Sequence, residues 1–143
     1  MSDTETIRIA FVCVQNAGRS QMAYACAEQE LVDRGLRDAV QLITGGTNPA
    51  DRVHPEVIEV MGHVGIDLSE RRPREVTVEE LQDSDYVITM GCSADNVCPA
   101  GWAGKSRDWD LDDPHEKPVD QVAEIRDEIR YRVSNLFDEM IQN

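Results

Sequence analysis

The stretch Ile7-Arg8-Ile9-Ala10-Phe11-Val12-Cys13, continued by Val14-Gln15-Asn16-Ala17-Gly18-Arg19-Ser20, decides how this chain folds. Its first half is short, apolar and rich in strand formers, as strands buried on both faces of a parallel sheet are. Its second half is small and polar. It leads into Met22, Ala23, Ala25, Cys26, Ala27 and Leu31, which recur at helical spacing up to a stop at Gly35. A buried strand, a tight loop and a helix therefore open the chain.

The same unit recurs downstream. Val40-Gln41-Leu42-Ile43-Thr44 reads as a second strand ended by Gly45-Gly46, and a helix carrying Val57, Ile58, Val60, Met61 and Val64 follows, stopping at Gly65. Val78 to Leu81 fits a short helix, Tyr86 to Met90 a third strand, and Trp109 with Leu111 a short fourth. From Val119 onward, Val122, Ile125, Ile129, Val133, Phe137 and Met140 fall on one face of an amphipathic helix. Strands alternating with helices imply an α/β architecture, a three-layer, four-stranded parallel sheet flanked by helices. Such sheets bind ligands at the carboxyl ends of their strands, where the loops after strands one, three and four fall.

The 143 residues fit one domain spanning 1–143. There are 28 Asp and Glu against 14 Lys and Arg, a formal net charge of −14, and the only lysines are Lys105 and Lys117. No basic patch is visible, which disfavours nucleic acid as a partner. An acidic, lysine-poor surface suits concentrated salt, where screening removes self-repulsion, so a halophilic source is expected. No apolar run approaches the roughly 20 residues of a membrane span. The start Met-Ser-Asp-Thr-Glu-Thr is unlike a signal peptide. A cytoplasmic protein with reduced cysteines, without membrane or nucleic-acid partners and acting as a monomer or weak dimer, is expected.

Five residues separate Cys13 from Arg19. A loop this tight can turn the N–H groups of Val14, Gln15, Asn16, Ala17, Gly18, Arg19 and Ser20 inward as an anion-binding nest, and the following helix adds its positive end. Arg19 supplies a planar fork of donors matched to a tetrahedral oxyanion. The same surroundings favour a thiolate at Cys13, a nucleophile near neutral pH, with Ser20 able to donate to the sulfur. Asn16 and Gly18 tolerate the unusual backbone angles such a loop needs. No Gly-Lys-Ser/Thr ends the loop, so it is not a nucleotide P-loop.

Val12 to Ala23, reading V-C-V-Q-N-A-G-R-S-Q-M-A, resembles the active-site loop of arsenate reductases built on the low-molecular-weight tyrosine phosphatase fold. Gln21-Met22-Ala23 is similar to the reductases, where the phosphatases usually have proline after the Ser. Val87-Ile88-Thr89-Met90-Gly91-Cys92 with Cys98-Pro99 resembles their redox segment, and Trp109-Asp110-Leu111-Asp112-Asp113-Pro114 their acid-bearing loop. The resemblance spans nearly the whole chain and implies arsenate reduction. Thiolate Cys13 attacks arsenate, Arg19 and the loop amides hold its oxygens, and Asp113, with Asp112 as neighbouring candidate, protonates the departing oxygen. Cys92 or Cys98 then resolves the adduct as a disulfide. No tightly bound cofactor is implied. An external reductant is, either a thioredoxin- or glutaredoxin-like protein or a low-molecular-weight thiol, along with a monovalent cation near Asn16. Two departures stand out. Five residues separate Cys92 from Cys98 where six are expected, with Gly91 at the first cysteine's place, and Gly18 replaces a second loop cysteine. The internal cysteine relay and the external-thiol route both stay open.

Each of these residues has a plainer reading. Cys26 fits a small core residue. Cys92 and Cys98 fit buried residues, or half a zinc site with His115. Asp112-Asp113 fits a turn before proline. His54 and His63 fit solvent-facing positions near the second helix. Arg71, Arg72 and Arg74 fit a solvated loop or partners for carboxylates, and Trp102 and Trp109 fit packing roles. A phosphatase of the same fold is the alternative function and needs only Cys13, Arg19 and an Asp. A non-catalytic oxyanion-binding module is the third.

Overall fold

The computed structural model describes residues 6–90 and 104–141. Strands β1 (Ile7–Cys13), β2 (Val40–Gly46), β3 (Tyr86–Met90) and β4 (Lys105–Asp108) form one sheet in the order β2-β1-β3-β4, every pair parallel. Around it lie α1 (Arg19–Arg34), α2 (Pro55–Gly62), α3 (Val78–Gln82) and α4 (Val119–Ile141). This is the expected four-stranded parallel α/β architecture. Cys92, Cys98 and Trp102 lie outside the described residues.

Strand β1 is paired on both edges and covered on both faces, so Ile9 through Cys13 are all buried. The two faces are unequal. Ile9, Phe11, Cys13, Ile88 and Met90 share the main core with apolar residues of α1, α2 and α4, whereas Ala10, Val12 and Val87 meet Leu81 of α3. On α4 the stripe Val122, Ile125, Ile129, Val133 and Phe137 is buried as its periodicity predicts. Each such side chain contributes about 1.5–3 kcal/mol on full burial, so packing more than propensity holds the helix. The register sets Cys13 opposite Gly46 on one side and Met90 on the other. The carboxyl ends of three strands are thus level, and the loop after β1 opens at that edge.

Three boundaries differ from the sequence reading. Strand β2 runs on through Gly45 and Gly46 instead of stopping there. These glycines serve close approach: a Cβ on Gly45 would meet Val76 at 2.8 Å, and one on Gly46 would collide with the Val14 carbonyl oxygen. Strand β4 precedes Trp109 and Leu111; it is a polar edge strand, so it carries no apolar run to read. Helix α2 ends at Gly62, and Gly65, at φ 82°, belongs to the turn after it.

Candidate active site

Cys13 closes β1 and Arg19 opens α1, and the five residues between wrap the sulfur. The carbonyls of Cys13, Val14, Gln15 and Ala17 accept hydrogen bonds from the backbone N–H groups of Thr47, Asn48, Ala50 and His54 at 2.8–3.2 Å. In a trans peptide the C=O of one residue and the N–H of the next point in opposite directions. Drawing these carbonyls outward turns the N–H groups of Val14, Gln15, Asn16 and Gly18 towards the sulfur side. The Asn16 N–H donates to Cys13 Sγ at 3.2 Å. Helix α1 adds first-turn N–H groups that no side chain caps, because Gly18 is its N-cap. The segment 47–54, to which the sequence reading gives no role at the site, is therefore what shapes the nest.

Asn16, at φ 52°, adopts the left-handed backbone expected of it. Gly18 does not: its φ is −141°, and glycine is required there for space, since a Cβ would stand 2.7 Å from Pro114 Cγ. The Asn16 side chain is fully buried and organises the site. Its Oδ1 accepts from the Arg74 N–H at 3.0 Å and from Gln21 Nε2 at 3.1 Å. A backbone N–H only donates, which fixes the amide orientation. Nδ2 then donates to Ser20 Oγ at 2.6 Å and to Thr44 Oγ1 at 2.9 Å. The Ser20 oxygen is thus an acceptor towards Asn16, and its proton is directed at Cys13 Sγ, 2.8 Å away. The Asn16 oxygen faces two donors, and the Arg74 guanidinium donates to the nearby Thr44 carbonyl at 2.8 Å. These residues do not fit a monovalent cation at Asn16.

Above the sulfur lies a cavity of about 240 Å³ lined by Cys13, Val14, Gln15, Ala17, Gly18, Arg19, His54 and Asp113. Asn16 and Ser20 lie on the sulfur, outside this lining. Arg19 Nη1 donates to the Leu111 carbonyl at 2.9 Å, and its Nη2 stands 3.9 Å from Asp113 Oδ2. One edge of the fork is held by the loop that carries Leu111 and Asp113, leaving donors for an anion. Asp113 faces this cavity; Asp112 lines a separate one with Asp110, Lys117 and Asp120. Of the two carboxylates, Asp113 is the one beside Cys13 and Arg19.

His54 corrects the sequence reading. It is buried, at 9% exposed, and its ring stacks on His115 with centroids 4.4 Å apart. A histidine before proline at a helix start looks like a surface cap, but its N–H holds the Ala17 carbonyl and draws it against the loop. Burial, helped by His115, holds its proton affinity below the ordinary imidazole value against the pull of Glu56 and Asp113. His63 is exposed as expected. Burial pushes the Cys26 thiol up to about 12, fitting the core role. Arg71 pairs with Glu28 at 2.6 Å and Arg74 with Glu80 at 2.9 Å, so two of the loop arginines partner carboxylates. Trp109 is buried against Phe11. Among the described residues no three His, Cys, Asp or Glu converge as a metal site, and no helix is long and apolar enough to cross a membrane.

Residues 8–143 match the family model described as low molecular weight phosphotyrosine protein phosphatase. A protein of Halobacterium salinarum provisionally assigned as an arsenate reductase is 55% identical over 97% of this chain and 96% of its own length. Its halophilic source agrees with the acidic, lysine-poor composition here. Arsenate reductase 2 of Staphylococcus haemolyticus is 36% identical over 89% of this chain and 93% of its own length. Among solved structures, the thioredoxin-dependent arsenate reductase of Corynebacterium glutamicum superposes with a TM-score of 0.79 at 32% identity; the match covers 99% of this chain and 65% of that longer one. The Cys-x5-Arg cradle at the end of β1 and these likenesses agree, and the chain belongs to the low molecular weight phosphotyrosine protein phosphatase family, beside its arsenate reductases.

Proposed function

We propose that this protein reduces arsenate to arsenite, with Cys13 as nucleophile. The observation that carries the reading is the buried Cys13 sulfur beneath inward-turned amides and Arg19, a cradle for a tetrahedral oxyanion, in a chain whose relatives are named arsenate reductases. The Cys13 thiolate, held by Ser20 and the Asn16 N–H, attacks arsenic. The arsenic–oxygen bond opposite breaks, and the oxygen leaves as water with a proton from Asp113. A second thiolate then attacks Cys13 Sγ. A disulfide forms, the arsenic–sulfur bond breaks, and its electron pair stays on arsenic, which leaves as arsenite. Two thiols are oxidised and As(V) is reduced to As(III).

Cys92 and Cys98 are the candidate resolving thiols. Met90, opposite Cys13 in the sheet, is two residues before Cys92, and two residues span at most about 7 Å. A thioredoxin- or glutaredoxin-like protein, or a low-molecular-weight thiol, then restores the enzyme in the reducing cytoplasm. The test is arsenite formation from arsenate with a thioredoxin system and, separately, with a small thiol. Arsenite is expected with at least one reductant and none from Cys13→Ser. Hydrolysis of a phosphoester with no arsenite under either condition would support the phosphatase alternative.

A further inference from the structure

We propose that His54 and His115 are positioning residues: their stacked rings hold the Asp113-Pro114-His115 turn over Cys13, and the hold loosens when both rings are protonated. The inference rests on the reading of Asp113 as the acid of an arsenate reductase.

Asp113 itself is loosely held. Its side chain is 61% exposed, and its contact with Arg19 is 3.9 Å long. The turn that carries it is held more firmly, from the side of α2. The His54 and His115 centroids are 4.4 Å apart at an interplanar angle of 34°. One residue on, the Glu116 N–H donates to Glu56 Oε2 at 3.2 Å, with Glu116 in the left-handed region at φ 63°. The His115 N–H donates to Asp113 Oδ1 at 3.0 Å, which ties the carboxylate to the stacked residue. Pro114 is buried and rests on Gly18. His54 in turn is anchored by its N–H on the Ala17 carbonyl of the loop. The stack therefore links the oxyanion loop to the acid through two adjoining residues.

Two neutral rings at this distance attract, and two imidazolium rings repel. The charged and titratable groups that face the pair are Glu56 from α2, Asp113 and Glu116 from the turn, and Arg19 and Cys13 across the cavity. Burial and the neighbouring His115 ring disfavour a proton on His54, against the pull of Glu56 and Asp113. At neutral pH the pair is a closed latch, and acid opens it.

Arsenate reduction by wild type, His115→Phe and His115→Ala tests this between about pH 5 and 8, the range in which imidazoles titrate. His115 is exposed, so neither variant endangers folding. His115→Ala is expected to lower kcat about tenfold with KM within about twofold, since the acid moves and the oxyanion loop does not. His115→Phe keeps a ring without a charge and recovers most of kcat at the upper pH. The ratio of wild-type to His115→Phe kcat should fall at least about threefold towards the lower pH, because titrations common to both proteins cancel. Wild-type kcat in His115→Ala, or a ratio independent of pH, overturns the proposal. If wild type forms no arsenite, the reductase reading fails by itself. The same comparison on p-nitrophenyl phosphate, whose hydrolysis uses the same acid, then decides the positioning role.

Discussion

The Arg74 backbone N–H donates to the Asn16 side-chain carbonyl at 3.0 Å, across 58 residues of sequence. This bond fixes the direction of every proton between it and the Cys13 sulfur. Asn16 Nδ2 must face Ser20, and the Ser20 hydroxyl must donate to Cys13 Sγ. The loop thus has a donor to the Cys13 sulfur in place before any ligand arrives, the preorganisation that the proposed nucleophile would need.

Removing that donor should slow Cys13. On the proposed thiolate reading of Cys13, Ser20→Ala deletes one hydrogen bond to the sulfur, worth about 1.5 kcal/mol, so alkylation of Cys13 by iodoacetamide at neutral pH should slow roughly tenfold. Peptide mapping by mass spectrometry follows Cys13 against Cys26, which should stay unlabelled because burial pushes its thiol up to about 12. An unchanged Cys13 rate would mean that the amides alone activate it.

Asn16 should matter to stability as much as to chemistry. Its side chain makes four hydrogen bonds in a buried setting, and its φ is 52°. Asn16→Ala loses the bonds and strains the backbone, for a loss of about 3 kcal/mol in urea unfolding. Asn16→Gly loses the same bonds without the strain and should be less destabilised by about 1 kcal/mol. Equal losses would refute a cost from the left-handed backbone.

Stability should fall in acid in two windows. The unfolded chain takes up a proton at His54 near the ordinary 6.5, but folded His54, held lower by burial and His115, refuses it. The unfolded state then binds more protons, so stability drops as pH falls below 6.5 and levels off once the folded ring titrates. Burial acts to raise Glu80, but the Thr77 N–H and Arg74 outweigh it, and the group lies below the ordinary 4.5. Its contribution is present above 4.5 and lost as pH falls through the folded value. Urea midpoints across this range should lose the upper window in His54→Gln and keep the lower one.

The charge of −14 predicts salt dependence. Self-repulsion is screened within about 3 Å at 1 M salt, so the melting temperature should rise with potassium chloride into the molar range. A flat or falling melting temperature would contradict adaptation to salt.

Much of this site was legible before the fold was known. The apolar run to Cys13, the small loop and Arg19 carry strand, nest and helix in their side chains, and Asp113 is marked by the proline after it. What escaped reading has no side-chain signature. The bonds from residues 47–54 to the loop carbonyls are backbone to backbone, and any sequence could make them. Strand β4 is polar because it is an edge, so no apolar pattern announces it. Gly45 and Gly46 look like a stop, yet their role is to let Val76 and Val14 come close. His54 escaped because burial against a second histidine from 61 residues away is a tertiary fact.

The most direct test of the central claim is a free-thiol count on the fully reduced protein after arsenate is added without reductant, with arsenite measured alongside and the arsenite assay repeated with a small thiol. Arsenite formation with loss of about two thiols per chain, both abolished in Cys13→Ser, is the predicted result. Every thiol retained, and no arsenite even with added thiol, would contradict arsenate reduction at Cys13.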